Sequence, residues 1–568
     1  MKFNVKNFFV IAVLFFLGVL GYEQVTAREY FDKSREIEEM PVVWYPIIAD
    51  SINKKEIKLY IDGVEVGNTE ADLYMDTSLN IMVPTDIITD KFDCSVCIYP
   101  EGNLTVERGG KKLIMTLGHN EFAVNEENKI LKTPPIKIEK EVYLPLDCII
   151  ETFGYKYSFD VTQNKATLIN DNPDERKLPY AYCYKDVGKL GEIKDQGYRG
   201  TCWAMATVAA IETRLLPYEK LSLSVDHMSM NNSFKATQYD GGDYSMALAY
   251  LAAWQGPVLE KDDPYGDDIT NPSLKPIKHV QEVQMIPSKD LEAIKMMVYK
   301  YGGVSTSLYT SLTSSDSSSR YYNKKTSSYC YIGEAKPNHE VVIVGWDDNY
   351  PKENFNAKLE GNGAFICQNS WGSEFGLDGL FYVSYYDTNI GIHNIVYTGV
   401  EDADNYDKIY QSDLCGWRGN LGYEKESAYF ANVYRATTKE TLRAVSFYAV
   451  DVDTYYEVYV CNDFDEKESL SRKRSPLASG TLKNAGYYTI PLEQIVNFEP
   501  GDQFAIIVYI STPNATRPVA VELKVDYKSS SVTLEDGEGY ISYTGRTWEN
   551  VEDKYNCNIC LKGFADYR

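Results

Sequence analysis

The sequence predicts three successive folding units: an α/β repeat domain, a mixed α+β domain and a β-sandwich. Three observations carry this reading. A short pattern recurs at a fixed offset in residues 46–170, residues 178–400 mix helical periodicity with buried strands, and residues 401–568 turn almost purely to short strands.

Taken in order, residues 1–27 read as an export signal. Lys2 and Lys6 supply charge, Phe8 to Leu20 is almost wholly apolar, and Val25-Thr26-Ala27 offers a small-residue cleavage site. A transmembrane anchor is the alternative, but the apolar run falls short of the roughly 20 residues that span a bilayer. The mature protein is therefore expected outside the cell. In the repeat, Ile81 to Ile88 is echoed by Val142 to Ile149, and the same offset of 61 relates Phe92 to Phe153 and Asn103 to Asn164. Each copy reads as a strand ending at Pro, a short helix and a hairpin turning at Gly102-Asn103 or Gln163-Asn164. Residues 171–177 form a polar, proline-containing linker. Beyond Val400, Leu442 to Val450 and Tyr456 to Val460 are successive strands, and a turn at 498–502 leads into the apolar run Phe504 to Ile510. That abrupt change predicts a separable C-terminal unit.

Composition narrows the partners. The 568 residues carry 57 Lys and Arg against 82 Asp and Glu, a net charge of −25 that repels phosphate backbones and argues against nucleic acid. The 47 tyrosines fit β-sheet faces and surfaces that contact sugars or peptides. Eleven cysteines are too sparse for a disulfide scaffold. Cys94/Cys97 and Cys557/Cys560 each show the C-x-x-C spacing, but both pairs lie in strand-like segments where i and i+3 face opposite sides. Neither a metal nor a cofactor is expected. An odd cysteine count still leaves at least one free thiol, which invites the question of its use.

Lys194-Asp195-Gln196-Gly197-Tyr198-Arg199-Gly200-Thr201-Cys202-Trp203 runs straight into a helical pattern continuing to Glu212. Thr201 is placed as the N-cap, which puts Cys202 in the first turn, where the helix dipole and free N–H groups favour a thiolate. A thiolate nucleophile wants an imidazole, and only five histidines are present. His119 lies in the repeat, His393 near the β-domain boundary, and His227 and His279 in polar settings. His339 instead enters the buried strand His339-Glu340-Val341-Val342-Ile343-Val344, thirty residues before Asn369-Ser370-Trp371-Gly372.

These motifs resemble a papain-family cysteine peptidase of secreted bacterial type. Gln196 stands six residues before Cys202, His339 follows Cys202 by 137, and Asn369 opens the third motif. Gly241-Gly242 and Pro264-Tyr265 match the glycine-rich substrate wall and the segment after it. The resemblance implies a helical half plus a β-barrel-like half, an endopeptidase acting on proteins or peptides, and a set of roles. Cys202 attacks the scissile carbonyl, His339 carries the proton, Asn369 orients His339 under the shield of Trp371, and Gln196 donates into the oxyanion hole. Gly241 and Gly242 let the substrate backbone approach. Glu340 is placed in the pocket for the second residue before the cut, where its carboxylate would attract Arg or Lys; the alternative turns it to solvent at the rim. A monomer is expected.

The flanking regions resemble other modules. Residues 46–170 look like the copper amine oxidase N-terminal-like domain of exported Gram-positive proteins, with only His119 and no metal cluster. Residues 401–568 look like the lectin-like domain that follows papain-type domains in some exported clostridial proteins, which implies contact with a surface glycan or cell wall. One departure stands out. The family's cysteine three residues before the nucleophile is Arg199 here, and residues 231–242 contain no Cys, so the disulfide that the resemblance would imply is absent. No long helical prosegment of the papain type is legible in residues 28–177. Rival readings are a surface adhesin with an accessory peptidase fold, a cell-wall amidase, and acyl transfer on the same triad.

Overall fold

Both copies of the N-terminal repeat form the expected elements, and they pair with each other. In the first, strand Ile81–Pro84 leads into helix Thr85–Lys91; in the second, strand Glu141–Pro145 leads into helix Leu146–Phe153. The two strands are antiparallel, with Leu144 opposite Val83. Arg108 is buried between the copies and donates to the carbonyls of Phe92 and Phe153 and to the Tyr155 hydroxyl, so equivalent phenylalanines are tied by one guanidinium. This is a computed structural model describing residues 57–568 except 67–72, 77–79, 126, 161–162, 172–176 and 535–537. The export-signal reading of residues 1–27 and most of the 171–177 linker lie outside the described residues.

The central region is built around helix α1 (Cys202–Leu215), with Trp203 to Thr213 all buried. A helix buried on every side is a core helix. Helix α2 (Tyr244–Ala252) packs beside it, and helix α3 (Leu291–Lys300) packs on strands of the central sheet. The strands are β1 (Lys278–Ile286), β2 (Val304–Leu308), β3 (His339–Asp347), β4 (Ala364–Gln368), β5 (Leu380–Ser384) and β6 (Asn394–Asp402). They lie in the order β5-β4-β3-β2-β6-β1. Every residue of β3 from His339 to Trp346 is buried, and the apolar run from Val341 to Trp346 accounts for most of it.

The C-terminal strands β7 (Glu440–Ala449), β8 (Ala485–Phe498) and β9 (Leu561–Tyr567) do not start a new sheet. Strand β8 pairs with β1, Val283 opposite Tyr487, and extends the central sheet to thirteen strands. A six-stranded sheet packs over β7 and β9 around Phe430, Phe447, Val508 and Leu561, giving the expected sandwich. The lectin-like region expected as a separate unit therefore shares a sheet with the central region. Tyr448, Tyr487, Cys415 and Ala520 belong to the same apolar core as α1, and Trp254 stacks between His279, at 3.7 Å, and Phe564, at 5.2 Å. The composition changes after Val400 because the chain there enters a run of strands.

The repeat domain docks at the far end of α1. Lys300 reaches Asp93 at 3.6 Å and the Asp90 carbonyl at 3.4 Å, while Lys140 pairs with Asp402 and Asp404. Gly302, two residues on from Lys300, packs on Arg214 near the C-terminus of α1. A fourteen-residue helix is about 20 Å long, so this interface lies roughly that far from Cys202.

Candidate active site

Cys202 opens α1, as its spacing predicts. Thr201 holds the cap position, but its hydroxyl makes no cap bond; it meets the Tyr265 hydroxyl at 2.7 Å, and Tyr265 in turn donates to the Gln196 carbonyl. The Pro264-Tyr265 segment thus braces the loop before the nucleophile candidate.

His339 begins β3, and the backbone N–H of Glu340, the next residue, is directed at the Cys202 sulfur. The imidazole Nε2 lies 2.8 Å from Asn369 Oδ1, and the indole of Trp371 stacks on the ring at 4.9 Å and 25°. Asn369 Oδ1 also accepts the Ser370 N–H at 2.9 Å, so the amide cannot swing freely. Gln196 is held at both ends of its side chain. Ser370 Oγ donates to its Oε1 at 2.7 Å, and its Nε2 donates to the Arg199 carbonyl at 2.8 Å. One Nε2 hydrogen is left over for another acceptor.

Burial, and then the Glu340 carboxylate, push the Cys202 thiol up to about 11, against the N–H groups of Glu340, Trp203 and Cys202 that pull it down. The lowered thiol expected from the helix start is therefore outweighed. Burial likewise pushes His339 down to about 4, against the pull of its bond to Asn369. Either charge alone is disfavoured here. A proton moved from sulfur to imidazole creates two opposite charges that stabilise each other, so both arise together.

Arg199 stands where the disulfide cysteine would be, and it is buried. Its guanidinium donates to the Gly266 carbonyl at 3.1 Å and pairs with Asp268 at 2.7 Å. Next to it, the Gly200 N–H donates to the Gln238 carbonyl at 2.7 Å. A Cβ on Gly200 would lie 2.9 Å from the Gly241 nitrogen, and one on Gly242 would lie 2.5 Å from Trp203 Nε1. Gly242 is therefore demanded by packing on α1, a reason that the sequence did not disclose. A Cβ on Gly241 would meet only open space.

Glu340 is 7% exposed, which excludes the rim orientation. Burial, and then the neighbouring Asp243 carboxylate, push its carboxyl up to about 7, against the Tyr244 N–H and the Ser305 hydroxyl. Ser307 lies directly across the β2–β3 pair from Glu340, and its hydroxyl meets His393 Nδ1 at 3.1 Å; His393 packs on Tyr244. The sequence placed His393 at a domain boundary and gave no sign of this polar cluster, because strand register and a loop more than 50 residues away assemble it.

The papain family cysteine protease model matches residues 178–400, the copper amine oxidase N-terminal domain model residues 60–168, and the lectin like domain model residues 409–565. Residues 178–400 are thus a papain-family cysteine protease domain, preceded by a copper amine oxidase N-terminal-like domain and followed by a lectin-like domain. Among curated proteins, a cysteine proteinase of Brassica napus is 31% identical over 216 residues, spanning 37% of this chain and 60% of its own length. A viral cathepsin of Spodoptera exigua nuclear polyhedrosis virus is 25% identical over 275 residues, 47% of this chain and 75% of the cathepsin. The fold is similar to that of the clostridial cysteine protease Cwp84 after propeptide cleavage, with TM-score 0.61 and 29% identity, covering 68% of this chain and 99% of that one. A structure of the cysteine protease and lectin-like domains of Cwp84, a surface layer associated protein of Clostridium difficile, matches with TM-score 0.60 and 27% identity, covering 69% and 90%.

Proposed function

We propose that the protein is a secreted or surface-held cysteine endopeptidase that hydrolyses protein substrates through Cys202, His339 and Asn369. Cys202 Sγ attacks the scissile carbonyl while its proton passes to His339, which then gives it to the leaving amine. Gln196 Nε2 and the Cys202 N–H stabilise the oxyanion, Asn369 holds the imidazole in line, and water releases the acyl group. The single observation that carries this reading is the His339–Asn369 bond under Trp371, formed beside a thiol at a helix start. The similarity to a surface layer associated protease supports an extracellular location, and the lectin-like domain supports contact with carbohydrate there. Aminolysis instead of hydrolysis would use the same residues and differ only in the acceptor.

A peptidyl epoxide, added in increments to the full chain, tests the nucleophile. One adduct per chain, mapped to Cys202, with activity falling in proportion, is the expected result. Full activity after stoichiometric labelling, or an adduct on another cysteine, would sink the proposal.

A further inference from the structure

Where the family's disulfide is missing, a different tie reaches the glycine wall from the lectin-like domain. The Lys528 ammonium donates to the carbonyls of Asp240 at 3.1 Å and Gly241 at 3.0 Å. Its own carbonyl accepts the Lys235 N–H at 2.8 Å, and the Tyr527 hydroxyl bonds the Asp240 carboxylate. The hook is rigid at its base. Ser529 Oγ accepts the Val525 N–H at 2.9 Å, Ser529 N–H donates to Asp526 Oδ1 at 3.0 Å, and Arg418 bridges Asp526 at 3.9 Å to Ser245 Oγ at 2.7 Å.

From this we infer that the lectin-like domain is part of the peptidase cleft, with Lys528 the positioning residue of its substrate wall; the inference rests on the proposed peptidase reading. A peptide unit is planar and trans, so its C=O and N–H point in opposite directions. Holding the Gly241 carbonyl toward Lys528 therefore aims the Gly242 N–H the other way. Among the described residues that N–H donates to no other group, which leaves it for an incoming substrate carbonyl. Two adjacent glycines have more backbone freedom to lose than any other pair. Gly241 already sits at φ +68°, and a cation on two successive carbonyls removes that freedom before substrate arrives. Arg199 and Gly200 tie the nucleophile loop from one side, and Lys528 ties the wall from the other. A covalent link within one domain is thus replaced by a polar clamp between two.

Steady-state kinetics on a peptide with three residues before the scissile bond, run on the full chain and on Lys528→Ala, Lys528→Met and Lys528→Arg, test this. Alkylation of Cys202 by iodoacetamide, which needs no wall, serves as the second readout. Lys528→Ala and Lys528→Met are expected to raise KM about ten-fold, the size of one charge-assisted hydrogen bond. In both, kcat and the alkylation rate should stay within about two-fold, and Lys528→Arg should recover most of the loss. An unchanged KM in Lys528→Ala overturns the clamp. So does an equal fall in kcat and alkylation in both Ala and Met variants, or a Lys528→Arg no better than alanine. A wild type that cleaves no peptide at all overturns the peptidase reading, whereas an active wild type with an unchanged KM in Lys528→Ala overturns the clamp alone.

Discussion

Glu340 follows His339 on its strand and carries a carboxyl that burial has raised to about 7. The proton leaves as pH climbs through that value, so this side chain, proposed to face the pocket for the second residue before the cut, is neutral in mild acid and negative in mild base. Preference for Arg or Lys as the second residue before the cut should therefore appear only above about pH 7. The ratio of kcat/KM for an Arg peptide over its Leu counterpart is expected to rise about ten-fold between pH 6 and 8 in the wild type, a change of one pKa-unit equivalent in interaction. Glu340→Gln should hold the ratio flat. Identical pH-independent ratios in both proteins would remove Glu340 from specificity. The position of Glu340 after His339 was legible in the sequence, but its company was not. Asp243, Ser305, Ser307 and His393 come together only through the β2–β3 register and the start of α2.

Whole elements followed their local signals closely where the signal was periodic. Helix α1 is buried on every side for about three turns and begins at the predicted residue. The repeat units formed because each strand, proline and helix lies within 15 residues, where local propensity decides. Capping was another matter. Thr201 has the right type and place, yet a tyrosine 64 residues away takes its hydroxyl. Edge pairing was illegible for a related reason. Nothing in β1 or β8 states that they are partners, since both read as strands able to pair with anything, and some 200 residues separate them.

At the scale of the whole molecule, the peptidase and lectin-like regions share one sheet and one apolar core, and the repeat domain docks against them. Cutting at residue 400 would strip β1 of its partner β8 and open the core around Tyr448 and Tyr487. Fully burying side chains of that size is worth roughly 1.5–3 kcal/mol each, a large share of a net stability of about 5–15 kcal/mol. A fragment covering 178–400 is therefore expected to be insoluble or partly unfolded by circular dichroism, with a new exposed edge strand that favours aggregation. A soluble, cooperative fragment with wild-type peptide turnover would contradict the shared core. Removing residues 57–170 should leave turnover within a few fold, because that domain docks some 20 Å from Cys202. The chemistry at Cys202 is decided by side-by-side hydrolysis of one peptide by the full chain, Cys202→Ala and Asn369→Ala. Turnover should vanish in Cys202→Ala with the far-UV spectrum and unfolding midpoint unchanged, and should fall only partway, about 10- to 100-fold, in Asn369→Ala, which orients but does not react. Substantial turnover by Cys202→Ala would exclude Cys202 as the nucleophile, and a loss in Asn369→Ala as complete as that of Cys202→Ala would exclude an orienting role for Asn369.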